Sequence, residues 1–312
     1  MLSRTASNLY WIGRYMERAE FTTRLVEATM RLRSMTADDE AERSALESAL
    51  MVAGVATAFD STGEKLTPLS VSRYLMLAEE NASSVRSCLA AARDNARAAR
   101  NAITGEVWEA INRAWLDIRS RITPGRSSTK MDLIDAVTAS SRGFEGALSR
   151  MLRREAFFFI RLGAAVERGD NTARLLDVKY YLLLPEGERI GGVLDRDQWT
   201  TILQTVSARN AYRAIYREGL KPWLVADLLI FRRELPRSIA CSCAETVELL
   251  GELGRSTGRQ GAADRLVRQR EAALAAGSID EVFHSGLHEF LQRFISDNAA
   301  LHVAITQQFR FS

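Results

Sequence analysis

One charged helical pattern occurs twice in this chain. Residues 15–27 read YMERAEFTTRLVE, and residues 165–177 read AVERGDNTARLLD. The shared order of glycine, acids, arginines and threonine is more specific than a common Arg/Glu-rich composition, so we predict that two related halves exist. The matched pairs are Gly13/Gly163, Glu17/Glu167, Arg18/Arg168, Glu20/Asp170, Thr22/Thr172, Arg24/Arg174, Leu25/Leu175 and Glu27/Asp177.

Two further alignments bear on this internal repeat. Residues 74–85 (YLMLAEENASSV) align with residues 228–239 (LLIFRRELPRSI), which places Ser84 against Ser238. A weaker alignment of residues 107–112 with residues 287–292 requires a long insertion. Helical repeats of this kind usually cannot bury their apolar faces alone. We therefore predict a first repeat over 1–146 and a second over 147–312 that share one core.

The composition favours helices throughout. The chain has only 5 prolines and 19 glycines, and its apolar residues recur at spacings of three and four. We expect an all-α fold of two pseudo-symmetric halves, with antiparallel long helices in one compact bundle and loops at 123–130 and 185–192. The predicted helices are 8–33, 40–60, 70–79, 83–101, 105–122, 131–153, 156–183, 196–218, 223–231, 237–254, 261–275 and 279–310.

Charge and cysteine content exclude several classes of protein. The net charge is +3 and the arginines alternate with acids, so we expect no nucleic-acid partner. Without a run of about 18 apolar residues, we expect no membrane span. The first residues carry charges at positions 4, 14 and 17, which is untypical of a signal peptide. The odd cysteine number, Cys88, Cys241 and Cys243, favours a reducing compartment, the cytoplasm.

The repeated motif forms a narrow stripe on each helix. Successive residues turn by about 100°, so Gly13, Glu17, Glu20 and Arg24 lie together at the edge of the buried face. The second stripe consists of Gly163, Glu167, Asp170 and Arg174. Arg18 and Arg168 point about 100° away from their stripes.

Three interpretations of the stripes are open. In the first, they are solvated helix edges with acid-first pairs four residues apart. In the second, they face each other across a pseudo-twofold axis, with Gly13 and Gly163 allowing close approach and the charges forming a buried network. In the third, they line a polar cleft that binds a charged ligand. The candidate ligand-binding residues are Glu17, Arg18, Glu20, Arg24, Glu167, Arg168, Asp170 and Arg174.

Metal and acid/base chemistry have weaker signals. Carboxylates at 17, 20, 167 and 170 could hold Mg²⁺, which prefers oxygen ligands. However, Arg24 and Arg174 would repel a cation, so we assign no metal ligands and expect no cofactor. His288 and Glu289 are secondary candidates for an acid/base pair in the cleft, although a solvated or capping role is more typical of a histidine at this spacing from His284.

Several segments together resemble the bacterial Alpha-E family, which is named for its helices and its Glu-Arg motif. They are NLYWIGRYMERAEFTTRLVE, ENASSVRSCLAAARDNARAARNAI, VERGDNTARLLDVKYYLLLP, ELPRSI and GLHEFLQRFI with a terminal FRF. The resemblance covers nearly the whole chain, and the family motif maps onto Glu17–Arg18 and Glu167–Arg168. The chain departs from the family at Asn81-Ala82, where Asn-Pro is frequent.

The resemblance implies partners more than it implies a chemistry. Genes of the family commonly lie beside, or are fused to, ATP-grasp-type amide ligases, with transglutaminase-like peptidases as frequent neighbours. We therefore expect an accessory protein that handles a peptide or aminoacyl ligand in a cleft between paired Glu-Arg helices. The alternatives are a metal- or carboxylate-dependent enzyme, acting on an amide or phosphoanhydride, and a purely structural scaffold for a ligase.

Overall fold

The computed structural model describes residues 1–35, 39–122, 130–181 and 193–311, where helices are the only regular secondary structure. The all-α prediction is therefore confirmed. Of the loops predicted at 123–130 and 185–192, residues 123–129 and 185–192 lie outside these ranges, and Lys130 begins a helix. The helices are α1 (Ser3–Met35), α2 (Asp39–Val52), α3 (Ala56–Asp60), α4 (Pro68–Met76), α5 (Val85–Ala98), α6 (Gly105–Ile122), α7 (Lys130–Leu148), α8 (Glu155–Tyr181), α9 (Val193–Thr205), α10 (Arg209–Tyr216), α11 (Pro222–Phe231), α12 (Ile239–Thr257), α13 (Ala262–Ala276), α14 (Ile279–Ser285) and α15 (Leu287–Phe309). Within the described ranges, no helix combines the length and apolar character needed to cross a membrane.

Three long predicted helices are each broken in two. The breaks follow α2, α9 and α14, and each contains a residue with positive φ: Gly54 (69°), Ser207 (57°) and Gly286 (96°). A residue in the left-handed region cannot continue a right-handed helix. The predictions of single helices over 40–60, 196–218 and 279–310 were therefore wrong at these points.

The turns after α2 and α9 have the same hydrogen bonds. In each turn, the residue at positive φ donates its N–H to a carbonyl three residues back, and the next residue donates to one five residues back. This is the Schellman pattern that commonly ends helices, usually with glycine at the left-handed position. Gly54 meets that preference, whereas Ser207 does not, and a serine gives little warning of a helix end.

The two motif helices lie side by side and run parallel. Gly13 of α1 lies against Ile160 and Ala164 of α8, and farther along the chain Leu25 and Leu175 line the same cavity. The expectation of antiparallel long helices is wrong for this central pair. Two helices related by an axis along their length must run in the same direction, and the sequence does not show where such an axis lies.

The other helices pack around this pair in corresponding layers. Helix α5 packs on α1 and α6 on α5, while α12 packs on α8 and α13 on α12. Helix α7 then contacts α6 and α1, as α15 contacts α13 and α8. Helix α15 thus has the place of α7, so the weak alignment of 107–112 with 287–292, which pairs α6 with α15, does not match the packing. Buried apolar side chains from both proposed repeats form one cluster, although duplication itself stays a prediction.

Gly13 and Gly163 lie where α1 and α8 cross most closely. A Cβ on Gly13 would fall 1.9 Å from the carbonyl oxygen of Ile160, and a Cβ on Gly163 would fall 1.9 Å from that of Tyr10. Both obstacles are helical backbone, which cannot turn aside as a flexible side chain could. Only glycine fits at these two positions without moving the helices apart.

We expect Gly13→Ala and Gly163→Ala each to destabilise the protein by about 3 kcal/mol or more, because the added methyl group overpacks a backbone contact. Gly143→Ala is the matched control, since it lies in the interior of α7 with nothing within 4 Å of its Cβ position. That change should stabilise the helix by about 0.5–1 kcal/mol. Urea unfolding measures all three, and equal effects would refute the close-approach argument.

Candidate functional site

The Glu-Arg pair of each motif bonds to the pair of the other motif. Arg18 donates from Nε to Glu167 Oε1 at 2.6 Å and from Nη2 to Glu167 Oε2 at 3.1 Å. Arg168 donates from Nε at 3.2 Å and from Nη2 at 3.1 Å to Glu17 Oε2. We call these four residues the Glu-Arg clasp. It joins α1 to α8 about one turn beyond the two glycines.

Each clasp carboxylate receives a second arginine, but from a different element. Glu167 accepts from Arg14 Nε at 2.7 Å, one turn before Arg18 on the same helix. Glu17 accepts from Arg237, which directly precedes the Ser238 N-cap of α12 and also pairs with Glu20 at 3.0 Å. In the second half, the position that corresponds to Arg14 is Ala164. The two halves thus satisfy the same buried charge by different means.

The clasp carboxylates are buried and remain ionised. Glu17 is 5% exposed and Glu167 is 2% exposed. Burial by itself raises the pKa of Glu167, but the charges and hydrogen bonds of Arg18 and Arg14 outweigh it and lower the pKa to about 2. Burial likewise raises the pKa of Glu17, and Arg237 and Arg168 reverse the effect and lower it. Neither group can donate a proton near neutral pH, and each holds two guanidinium groups.

Arg18 and Arg168 take part in the contact although the helical wheel turns them away from the stripes. Their long side chains bring the guanidinium groups back across the contact between the parallel helices. Arg14 and Arg237 were not among the candidate residues. Arg14 could have been found, because it lies on the same helix face as Arg18 four residues later. Arg237 could not, because the first half has Ser83 at that point of the alignment.

The far ends of both stripes form pairs within their own helices. Arg24 donates from Nη2 to Glu20 Oε1 at 2.6 Å, and Arg174 donates from Nε to Asp170 Oδ2 at 2.7 Å. Arg24 also donates to the Ser207 hydroxyl, and Arg174 Nη1 lies 3.6 Å from the Cβ position of Gly54. Each arginine therefore reaches the left-handed turn that belongs to the opposite half.

The space between α1 and α8 at the level of the clasp is filled by the protein's own side chains. Free volume between the two helices lies farther along, beside Leu25 and Leu175, in a cavity of about 560 Å³ that includes its open mouth. Helices α2 and α9 complete its walls, and none of its lining residues is charged. This cavity does not have the chemistry expected of a cleft for a charged ligand.

A charged groove lies instead between α8 and α12, and Arg168 forms part of its lining. We call it the α8–α12 groove; it holds about 1750 Å³ including open solvent. Arg153 and Arg161 lie 5.8 and 5.6 Å from the Phe157 ring centre, and Arg168 donates from Nη1 to Glu245 Oε2 at 3.1 Å. Its lining residues are Arg153, Phe157, Phe158, Arg161, Arg168, Pro236, Glu245, Val247, Glu248, Leu249, Gly251, Glu252, Arg255 and Arg268.

The secondary candidates lie away from the clasp. His288 Nδ1 lies 2.6 Å from Asp177 Oδ1, and Gln292 donates to Asp177 Oδ2 at 2.6 Å. Asp177 is the last residue of the second motif, so His288 contacts the motif helix at its far end. The Glu289 side chain packs against Gly286. Within the described ranges, no group of three or more His, Cys, Asp or Glu side chains is arranged to hold a metal ion.

Comparison with known protein families gives a match over nearly the whole chain. A family model described as a predicted alpha-helical domain with a conserved ER motif matches residues 1–309. No curated protein and no solved structure gave a significant match. The Glu-Arg sequences that lie within the repeated pattern, at 17–18 and 167–168, are the pairs that form the clasp.

We expect Glu167→Gln to destabilise the protein by about 3 kcal/mol or more, because it leaves the Arg14 and Arg18 charges facing a neutral amide in a buried site. Glu47→Gln is the matched control, since Glu47 pairs with Arg43 on an exposed face and should cost less than about 1 kcal/mol. Chemical unfolding measures both. Similar small losses for the two variants would show that the clasp does not hold α1 and α8 together.

We also expect acid to remove the stability that the clasp provides. The pKa of Glu167 is lowered from 4.5 to about 2 on folding, so its contribution is complete above about pH 5 and disappears as the pH falls toward 2. The shift corresponds to about 3 kcal/mol, and the lowered pKa of Glu17 acts in the same direction. Urea unfolding at a series of pH values should show a smaller acid loss in Glu167→Gln than in the wild type; parallel losses would contradict this.

Proposed function

The chain belongs to the Alpha-E family, and from that premise we propose that it is an accessory protein that handles a peptide or aminoacyl ligand for an ATP-grasp-type amide ligase. The ligand lies in the α8–α12 groove rather than between α1 and α8. A transglutaminase-like peptidase is the second proposed partner. The three free cysteines suit a reducing compartment, and we place this function in the cytoplasm.

The chemistry of the α8–α12 groove supports a peptide ligand. One wall carries Arg153 and Arg161, whose guanidinium groups suit a carboxylate. Helix α12 presents Glu245, Glu248 and Glu252, which suit an ammonium group. Peptides and aminoacyl compounds carry both charges, and Phe157 and Phe158 add apolar surface for a side chain. An open groove also accepts an extended chain better than an enclosed pocket does.

One observation carries the proposal. The Arg168 guanidinium joins the buried Glu17 to Glu245 on the groove wall. Its position in the groove is therefore fixed by the clasp, which holds a cation at a surface where a free arginine would be mobile. In this arrangement Arg168 holds the Glu245 carboxylate in place for an ammonium group of the ligand, and Glu17 positions Arg168.

The clasp favours binding over acid/base catalysis. Both of its carboxylates are ionised and accept hydrogen bonds from two arginines, so neither can act as a general acid, and each is a weak base. A metal ion would have to displace those arginines. The proposed role requires no cofactor, and ligand binding should be unchanged when Mg²⁺ is removed with a chelator.

We expect a glutamyl-lysine dipeptide to bind the protein, and Arg268→Ala to weaken the binding about tenfold, because a charged hydrogen bond contributes about 1.5–3 kcal/mol. Arg268 is an exposed residue of the groove. Arg97→Ala, at an exposed residue of α5, is the control and should have no effect. Isothermal titration calorimetry measures both, and the same dipeptide with acetylated and amidated ends should bind more weakly. Equal losses in the two variants would argue against the groove.

The same variants separate an accessory protein from a scaffold. An accessory protein should co-purify with the ATP-grasp ligase, and Arg268→Ala should weaken its peptide binding without weakening its binding to the ligase. If the ligase binds the wild type and the variant equally and neither binds a peptide, the scaffold replaces our proposal.

A further inference from the structure

The two clasp arginines differ in how they use their third nitrogen. Arg168 donates from Nε and Nη2 to Glu17, and its Nη1 donates to the Glu245 carboxylate at 3.1 Å. Arg18 uses Nε and Nη2 in the same way on Glu167, but its Nη1 meets the Ser83 hydroxyl at 3.5 Å. That distance is beyond the usual range of a hydrogen bond. Arg18 thus has a donor that lacks the strong acceptor its counterpart has.

The alignment explains this difference. Helices α5 and α12 begin at the cap residues Ser84 and Ser238. Glu245 is the seventh residue after Ser238, and the seventh residue after Ser84 is Ala91. Because α5 packs on α1 as α12 packs on α8, the alignment places Ala91 at the position that corresponds to Glu245. The Arg18 side chain is also more exposed than that of Arg168, at 24% against 11%.

The charges around the two glutamates are also unequal. Around Glu17, three acids face three arginines, because Glu20 and Glu245 join it against Arg24, Arg168 and Arg237. Around Glu167, one acid faces two arginines, Arg14 and Arg18. One positive charge is therefore left over in these contacts.

We propose that Arg18, with the Ser83 hydroxyl, binds the carboxylate of an acidic ligand at the place that Glu245 occupies in the second half. Ala91 has no carboxylate at the position that corresponds to Glu245, and the ligand supplies it. The start of α5 adds the partial positive charge of a helix N-terminus. Peptides with an acidic side chain or a free carboxyl end are the ligand class, because the counterpart in this molecule is a planar carboxylate.

This site is separate from the α8–α12 groove. Ser83 and α5 lie on the outer side of α1, whereas the groove lies between α8 and α12. The inference therefore does not rest on the proposed function, and the two can fail independently.

The test uses propionate, which reproduces the glutamate side chain beyond its Cα, and follows the Arg18 and Arg168 Nε–H signals by NMR. The wild type should show saturable shifts at Arg18 alone, with a dissociation constant on the order of millimolar. Glu245→Ala should add a second saturable shift, at Arg168. Shifts at neither arginine in the wild type, or no second site in Glu245→Ala, would overturn the proposal.

A matched pair of charge insertions tests the same site without removing Arg18. Ala91→Glu should abolish the propionate shift at Arg18, because the new side chain occupies the site as Glu245 does. Ala90→Glu adds the same charge one position away, about 100° around the helix, and should retain the shift. Ser83→Asp gives a second internal carboxylate should Ala91→Glu fail to fold. Retention of propionate binding in folded Ala91→Glu or folded Ser83→Asp, or its loss in Ala90→Glu, would overturn the assignment.

Two further measurements define the ligand class and the independence of the site. Inorganic phosphate at the same concentration should displace propionate poorly, and tighter phosphate binding would overturn the assignment to carboxylates. Arg268→Ala should leave the Arg18 shift unchanged, and loss of that shift would show that the two sites are one.

Discussion

Backbone contact between α1 and α8 at Gly13 and Gly163 is the constraint on which the rest of the structure depends. Each glycine lies against a helical carbonyl of the other helix, at a distance that leaves no room for a Cβ. Helices this close exclude water from the next turn, where Glu17 and Glu167 lie. A buried carboxylate is costly unless it is paired and hydrogen-bonded. The close approach therefore creates the need for the arginines, and the glycine and the Glu-Arg pair have to occur together in both copies of the motif.

Each buried glutamate needs two arginines, and the two halves of the molecule supply them from different elements, which has structural consequences. Glu167 is satisfied from one helix by Arg14 and Arg18, whereas Glu17 is satisfied from two elements by Arg168 and Arg237. The second solution ties the start of α12 to α1, and Thr172 reinforces it by donating to the Arg237 carbonyl. Buried ion pairs of this kind specify one arrangement more surely than they add stability. Here they fix the segment that precedes α12 against α1 and α8.

Local sequence patterns could predict the helices, the special place of the two glycines and the pairs Glu20–Arg24 and Asp170–Arg174, because each follows from spacing along one chain segment. They could not predict the parallel direction of α1 and α8, which depends on how the remaining helices pack. Nor could they predict Arg237, whose role comes from a loop far away in sequence. The helix end at Ser207 was missed for a different reason: a residue that rarely adopts positive φ does so there, with its hydroxyl bonded to Arg24.

The charge balance of the clasp links its structural role to binding. Around Glu17 the charges cancel within the protein, so nothing external is required there. Around Glu167 a second guanidinium charge remains beside a buried carboxylate, and it cannot be relieved by deprotonation because arginine stays charged. Burial of that charge costs free energy, which an incoming carboxylate would recover by direct pairing. An acid bound at Arg18 would therefore stabilise the contact between α1 and α8. Ligand binding on the outer side of α1 and the packing of the central helices would then be thermodynamically linked.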